Sequence, residues 1–513
     1  MATDPTAKKG PDTPSSDYEA VKCDWDRATA IMGGADAMRA AGEKYLPRYP
    51  NEKPPSFGRP EEVDDYKVRL AKAPFTNLYA DVLHNLSTKP FSKQVKLLDG
   101  APATIVDLVG DVDGQGNNLH VFSGDLFEAG INKGVDWICV EYPKMAPGVT
   151  LADERRSGAR PYWVRIAAER VVAVYSDYQR GKQIFTHVRI LEPTLERDGF
   201  GEKLTQRVRV YNRNKRDVEI GGMMVAEYDP ATSELWELVK DPSGLKQPEW
   251  VLVEGPLPIS IGEIPLVPFI TGARCGAGWA IEPPLRDIAH AQVKEYQIES
   301  NLDHILDLTA FPMLAGNGVT PPGEENGIKV KVPVGPRAVL FAPPDNNGKH
   351  GEWKWIEPNA DSIAKLMEHL ETVRKEIRDL GMQPLLPKTG NLTATASALA
   401  GAKAHSAVQA WALGLKDALE RALAMSAKWL DEAAAPQVAV HTDFGSGIED
   451  PTELSMLTDM RRENDLSQDT LWSEMVRRGV LSDDFDAEKE RLLIKANPAP
   501  AAANQIPVQI QRS

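Results

Sequence analysis

Apolar and polar positions along the chain follow two different periods, and the changes between them divide it. From Tyr18 to Ser87 the spacing is mostly helical. Pro60-Glu61-Glu62 makes a good first turn, with carboxylates at the positive end of the helix dipole. Tyr66 and Leu70 follow at helical spacing, and Pro74 predicts a kink or restart before Phe75, Leu78, Val82 and Leu83. From Val135 to about Val253 β-branched and aromatic residues alternate with polar ones. Val135–Tyr142, Tyr162–Ile166, Val171–Tyr175, Ile184–Leu191 and Arg207–Tyr211 read as strands of an antiparallel, β-rich domain. Trp236 and Trp250 fall in its last strands.

After Pro268 the helical period returns. Pro283-Pro284 opens a run that carries Leu285, Ile288, Val293, Tyr296, Leu302, Ile305 and Leu306 up to Phe311, before Pro312. At 1.5 Å per residue this predicts a helix of roughly 42 Å. A second helix is expected from near Asn359 to Gly381, a suitable C-terminal cap. Its apolar stripe is Ile363, Leu366, Met367, Leu370, Val373, Ile377 and Leu380. Between the two lie Gly, Pro and short strand patterns, including Ile328–Val332 and Val339–Phe341. Two long helices thus flank a compact β-insert at 313–358. A proline-containing loop and an Ala-rich helix from about Thr395 to Glu432 follow, then short helices at Pro451–Arg462, Ser467–Arg478 and Asp484–Lys495.

Composition narrows the function classes. Of 513 residues, 42% are hydrophobic and 26% charged, as in ordinary globular proteins. The net charge of −15 excludes a general nucleic-acid binder, whose affinity comes from clustered cations. It suits a surface that lets DNA slide past. Cys23, Cys139 and Cys275 lie too far apart for a disulfide framework or zinc ribbon. No apolar run approaches the roughly 20 residues of a membrane-spanning helix, and residues 1–17 carry no apolar signal core. Residues 1–17 and 497–513 are expected to be flexible arms.

Enzyme motifs fail on spacing. No G-x-x-x-x-G-K-[ST] phosphate loop and no G-x-S-x-G elbow is present. Asp443-Phe444-Gly445 lacks the other kinase signatures and reads as a turn. Asp111-Val-Asp-Gly-Gln-Gly begins like a calcium loop, but Phe122 stands where a bidentate carboxylate is needed, so a polar loop is expected. His290 and His304 are fourteen residues apart and cannot share a metal ion. No cofactor or metal is expected. The second long helix carries Lys365, Arg374, Lys375 and Arg378 among Asp361, Glu368, Glu371, Glu376 and Asp379. Most of these predict a solvated face with a Glu371–Lys375 pair. Lys388, in the loop beyond, has no obvious local partner.

The order helix, β-insert, helix, proline loop, long helix resembles tailed-phage portal proteins. The resemblance rests on Tyr45-Leu-Pro-Arg, Tyr66–Ala73, Gly134–Pro143, Ile264–Ile270, Pro284–Ala289, Glu299–Leu306, Leu466–Trp472 and Arg477–Leu481. Pro284–Leu306 resembles a portal-like phage structural family first described as a domain of unknown function. The resemblance covers roughly residues 40–495. It implies an α+β portal fold. The map is a wing at 18–282 (helical at 18–100, β-rich at 130–260), stem helices at 283–312 and 359–381 around a small α/β clip at 313–358, and a tunnel loop at 382–394. A long wing helix at 395–435 and a helical crown at 436–496 complete it.

It further implies a non-enzymatic ring, usually a dodecamer, at one vertex of the virion, assembled in the host cytoplasm. Double-stranded DNA passes through such a ring during packaging and ejection. Its expected partners are the major capsid protein, the terminase large subunit and the head-completion or tail adaptor proteins, with no membrane. Lys388, Lys365, Arg374 and Arg378 become candidates for contact with DNA in the channel. The bland reading of Lys388 is an ordinary loop lysine. The rival readings are another capsid or connector component, or a phage enzyme with a two-metal carboxylate cluster.

Overall fold

The computed structural model describes residues 10–50, 52, 64–143, 156–220, 223–240, 247–309, 313–317, 324–325, 328–329, 351–356, 360–381, 394–433, 436–442, 444, 451–477, 480–482 and 485–496. The chain is α+β and divides into two compact units, Met1–His441 and Thr442–Ser513.

In the first unit, helices α1 (Ser16–Met32), α2 (Gly34–Ala41), α3 (Asp65–Lys72), α4 (Leu78–Ser87), α5 (Ala103–Gly110) and α6 (Leu119–Lys133) come first, with strand β1 (Lys96–Leu97) among them. Ser15 caps α1 by accepting the Tyr18 N–H at 3.2 Å, and Asp17 and Glu19 occupy its first turn. Val21, Trp25, Ala28 and Ile31 then fall on one buried stripe. Asn77 and Asn118 cap α4 and α6 in the same way. Gly134 ends α6 at φ +83°, where a β-carbon would meet backbone of Glu282 and Pro283 at 3.1 Å.

The β-rich region contains two principal sheets. Strands β2 (Val135–Glu141), β3 (Tyr162–Ile166) and, far along the chain, β13 (Leu266–Ile270) form a three-stranded antiparallel sheet with β2 central. The second sheet has five strands, in the order β12, β11, β8, β5, β4. These are β4 (Val171–Gln179), β5 (Lys182–Leu191), β8 (Arg207–Asn212), β11 (Thr232–Val239) and β12 (Glu249–Pro258). Hairpins β6 (Thr194–Asp198)–β7 (Gly201–Thr205) and β9 (Lys215–Ile220)–β10 (Met223–Tyr228) project from its connections. Short pairs β14 (Ala273–Arg274)–β15 (Ile281–Glu282) and β1–β20 (Val438–Ala439) complete this part. Trp236 and Trp250 lie on β11 and β12, on the last strands of the five-stranded sheet.

Trp25 of α1, Trp137 and Cys139 of β2, and Val188 and Ile190 of β5 share one core, so α1 joins the two sheets. α1 is also tied to the end of α6 by polar contacts. The Trp25 indole donates to Lys133 O at 2.8 Å, and the buried Lys133 ammonium donates to Trp25 O at 2.7 Å.

Two long helices follow, α7 (Arg286–Thr309) and α8 (Ala360–Leu380), and between them antiparallel β16 (Met313–Asn317)–β19 (Glu352–Ile356) and β17 (Glu324–Glu325)–β18 (Ile328–Lys329). α7 starts later than the proline pair suggests, because Pro283 O accepts the Arg286 N–H (3.2 Å) and forms only a lead-in turn. Of the strand patterns read in the insert, Val339–Phe341 lies outside the described residues. α9 (Ala394–Trp429) ends three residues before Glu432. Asp431 takes φ +57° and the Glu432 N–H returns to Ala427 O at 2.9 Å, a C-terminal closure that stops the helix. α9 is pinned to the three-stranded sheet where the Trp163 indole donates to Ser426 Oγ (2.9 Å) and where Tyr142 stacks on Trp429. The first unit ends beyond β20, so residues 436–441, expected with the crown, group with it.

The second unit contains α10 (Pro451–Arg462), α11 (Gln468–Arg477) and α12 (Ala487–Ala496). Ser467 and Asp486 cap α11 and α12, Trp472 meets Phe485 edge-on, and Arg491 pairs with Asp469.

Candidate functional site

The two long helices α7 and α8 were singled out by the sequence, and their packing shows where the candidate residues on α8 lie. α7 presents Ile288, Gln292, Glu295, Glu299 and Leu302 at a spacing of four, three, four and three residues, a single seam along the helix. The middle three are polar. α8 answers with Leu370, Val373 and Ile377, all buried, and with Arg374 between them.

Arg374 is the centre of the contact. Its Nε donates to Glu295 Oε1 at 2.9 Å, Nη2 to Glu299 Oε1 at 2.6 Å, and Nη1 reaches Glu371 at 3.5 Å. The Glu295 side chain has no solvent exposure. It receives one further bond, from Gln292 Nε2 at 3.1 Å. Gln292 is itself buried and donates to Thr76 O (2.9 Å), while its Oε1 accepts the Leu78 and Tyr79 N–H groups at 2.9 and 3.0 Å. One connected network therefore runs from the first turn of α4 through α7 to α8. Burial raises the Glu295 carboxyl to about 7 despite the guanidinium beside it, because two donors do not replace its lost hydration. At the end of α8, a β-carbon on Gly381 would lie 2.7 Å from the Val82 methyls, so α8 closes tightly onto α4.

The four predicted contact residues therefore have different surroundings. Arg374 faces α7, and its charge is committed to carboxylates. Lys365 is exposed and pairs with Glu368 at 2.9 Å. Nine residues at 100° each place it on the side of α8 opposite Arg374. Arg378 is exposed and forms no ion pair among the described residues. Lys388 lies outside them. Glu371, expected to pair with Lys375, turns to Arg374 instead, since the buried carboxylates already fix that guanidinium nearby. Gln292, Glu295 and Glu299 were missed as partners. Their signal was in the sequence, as three polar residues interrupting one apolar seam.

Among the described residues, no group of His, Cys, Asp or Glu could hold a metal ion, and no helix is long and apolar enough to cross a membrane. The calcium-like loop uses its carboxylates on itself. Asp113 Oδ1 accepts the Gln115 N–H at 2.9 Å, Asp111 Oδ1 the Gly116 N–H at 2.9 Å, and Arg160 takes the other Asp111 oxygen at 2.7 Å. His290 sits 4.0 Å from Asp24, and burial lowers its pKa. His304 lies against the Tyr49 ring. Asp443 and Gly445 of the kinase-like triplet lie outside the described residues.

A family model described as a domain of unknown function, DUF4055, matches residues 284–430, which span α7, the insert, α8 and α9. No curated protein matches the chain. Among solved structures, the neck of a native gene transfer agent particle computed with C12 symmetry is similar at 14% identity and a TM-score of 0.37, covering 81% of this chain and 88% of that one. The neck of an empty particle computed with C6 symmetry gives 13% identity and 0.38, over 87% and 96%. The virion of a native gene transfer agent particle gives 12% and 0.37, over 89% and 98%. Scores this low carry no argument about fold or function.

Proposed function

We propose that this chain is a portal-type component of a tailed-phage-like particle. It assembles as a homo-oligomeric ring, of about a dozen copies by the portal resemblance, at one vertex of the shell. The ring is a passive conduit for double-stranded DNA during packaging and ejection. It is a docking site for the major capsid protein, the terminase large subunit and the adaptor proteins that complete the head.

The observation that carries this reading is the α7–insert–α8 stem. Helices of about 36 and 31 Å, from 24 and 21 residues at 1.5 Å each, run as a clamped pair and hold a β-insert at their far ends. The Arg374 clamp stiffens that pair where it leaves the body. Leu306 and Met367 are 43% and 53% exposed on the stem, apolar surface that neighbouring copies would cover. The acidic balance of the chain disfavours tight phosphate binding, as a conduit requires. Lys365, Arg378 and Lys388 are the proposed weak contacts with DNA, whereas Arg374 supports the stem.

Light scattering on the purified chain, followed by negative-stain imaging, tests the reading. Rings with a central opening are expected. A chain that stays monomeric even when co-expressed with its capsid protein would overturn it.

A further inference from the structure

On the first unit, a cleft of about 540 Å³ opens between the start of β5, β13 and α9. Its walls are apolar, with Ile184, Phe185, Trp279 and Met425 prominent. Its rim is cationic. Arg213, Arg274, Arg421 and Lys428 surround it against a single carboxylate among the described residues, Glu263, which pairs with Lys428. Arg274 lies 4.1 Å over the Trp279 ring, while Arg213 Nε and Arg421 Nε donate to the backbone oxygens of Asp229 and Asp417 at 2.9 and 3.1 Å. None of these three arginines forms an ion pair among the described residues. On a chain of net charge −15, this is a local cationic excess.

The same unit carries a projection of the opposite character. The β6–β7 hairpin turns through Gly199 and Phe200, with Gly199 at φ +61°, a glycine at the first central position of a two-residue turn. Phe200 is fully exposed at the tip, and Leu195 and Leu204, paired across the strands, are 58% and 62% exposed. Asp198 and Glu202 flank Phe200. Arg197 folds back onto Gly199 O at 2.8 Å, and Glu196 is tied to Arg207 at the hairpin base.

The two features sit at opposite ends of β5. Phe185 lies near its start and the hairpin leaves after its end, about 20 Å beyond Phe185 at 3.3 Å per residue. The hairpin arm itself is only about 17 Å long, so its backbone falls short of its own cleft. A projection and a receptor at different places on one molecule make a head-to-tail contact, which closes into a ring if its rotation permits.

We propose that the β6–β7 hairpin of one copy of this chain seats Phe200 in the β5–β13–α9 cleft of the next copy, with Asp198 and Glu202 meeting the rim arginines. The inference rests on the ring reading and names a contact that holds the ring together. The test starts from a chain with Cys23 and Cys275 changed to Ser, leaving the buried Cys139. Lys203→Cys is made in one chain and Gln183→Cys in another, and the two are mixed with a short bis-maleimide while mass is followed by light scattering. The expected result is a covalent dimer in the mixture, a ladder when both cysteines are in one chain, and no product from either variant alone. Phe200→Asp, on an exposed turn, should weaken assembly at least about tenfold with an unchanged monomer melt, while Phe200→Leu keeps it. Rings that form without the cross-link overturn this contact and leave the ring reading standing. Monomers with no cross-link, persisting when the capsid protein is co-expressed, overturn both. Product from one cysteine alone, or rings unaffected by Phe200→Asp, also overturns the contact.

Discussion

Glu295 gives the α7–α8 pair a definite pH dependence. Its side chain has no exposure, and among the described residues it accepts only from Arg374 and Gln292. Burial raises its carboxyl from 4.5 to about 7. A folded-state pKa above the unfolded one means that the folded state binds the proton more tightly. The contribution of this group is therefore fully present below about pH 4.5 and is lost as pH rises through about 7. A rise of roughly 2.5 units at about 1.4 kcal/mol each sets the loss at about 3 kcal/mol. Glu295→Gln mimics the protonated carboxyl at every pH. Other groups titrate in both proteins, so the difference between the two isolates Glu295. Thermal melts of the two chains at half-unit steps from pH 4.5 to 8 should coincide most closely at the acid end. The Gln chain should then gain relative to wild type by about 3 kcal/mol across the range. A gap that stays flat, or moves in favour of the wild type as pH rises, would refute the assignment of Glu295 as a desolvated, under-bonded carboxylate.

Arg69→Met should destabilise the first unit by about 3–5 kcal/mol in a melt, because buried Glu52, held at 2.7 and 2.8 Å, would be left unpaired. Asp136, pushed up to about 8 by burial, is mostly protonated at pH 7. Asp136→Asn should therefore cost less than about 1 kcal/mol there and gain relative to wild type above pH 8 in denaturant titrations. Burial pushes the Cys139 thiol up, whereas Cys23 and Cys275 are exposed, so a thiol reagent should label those two in the native monomer and Cys139 only on unfolding. Lys388→Glu should reduce the DNA content of particles without changing their assembly, read by ultraviolet absorbance of purified heads; unchanged filling would remove Lys388 as a DNA contact.

Helix α8 was largely legible, because Ile363, Leu370, Val373 and Ile377 recur at helical spacing and Gly381 marks a stop. The strand region was legible as strands for a similar local reason, alternation between polar and β-branched residues. Pairing was not. β13 joins β2 across more than a hundred residues, and no local pattern encodes that choice. The role of Arg374 was hidden for the opposite reason. Its own helix offers many carboxylates, and only the register against α7 shows that Glu295 and Glu299 take it. Phe200 gave no periodic signal, since a lone aromatic in a glycine turn looks the same whether covered or exposed.

The most direct test of the central claim is cryo-electron microscopy of complete particles carrying a labelled copy of this chain. The account predicts label confined to one vertex, in a ring with an axial opening continuous with the packaged DNA. Label spread over the whole shell, or missing from particles that are filled with DNA, would contradict it.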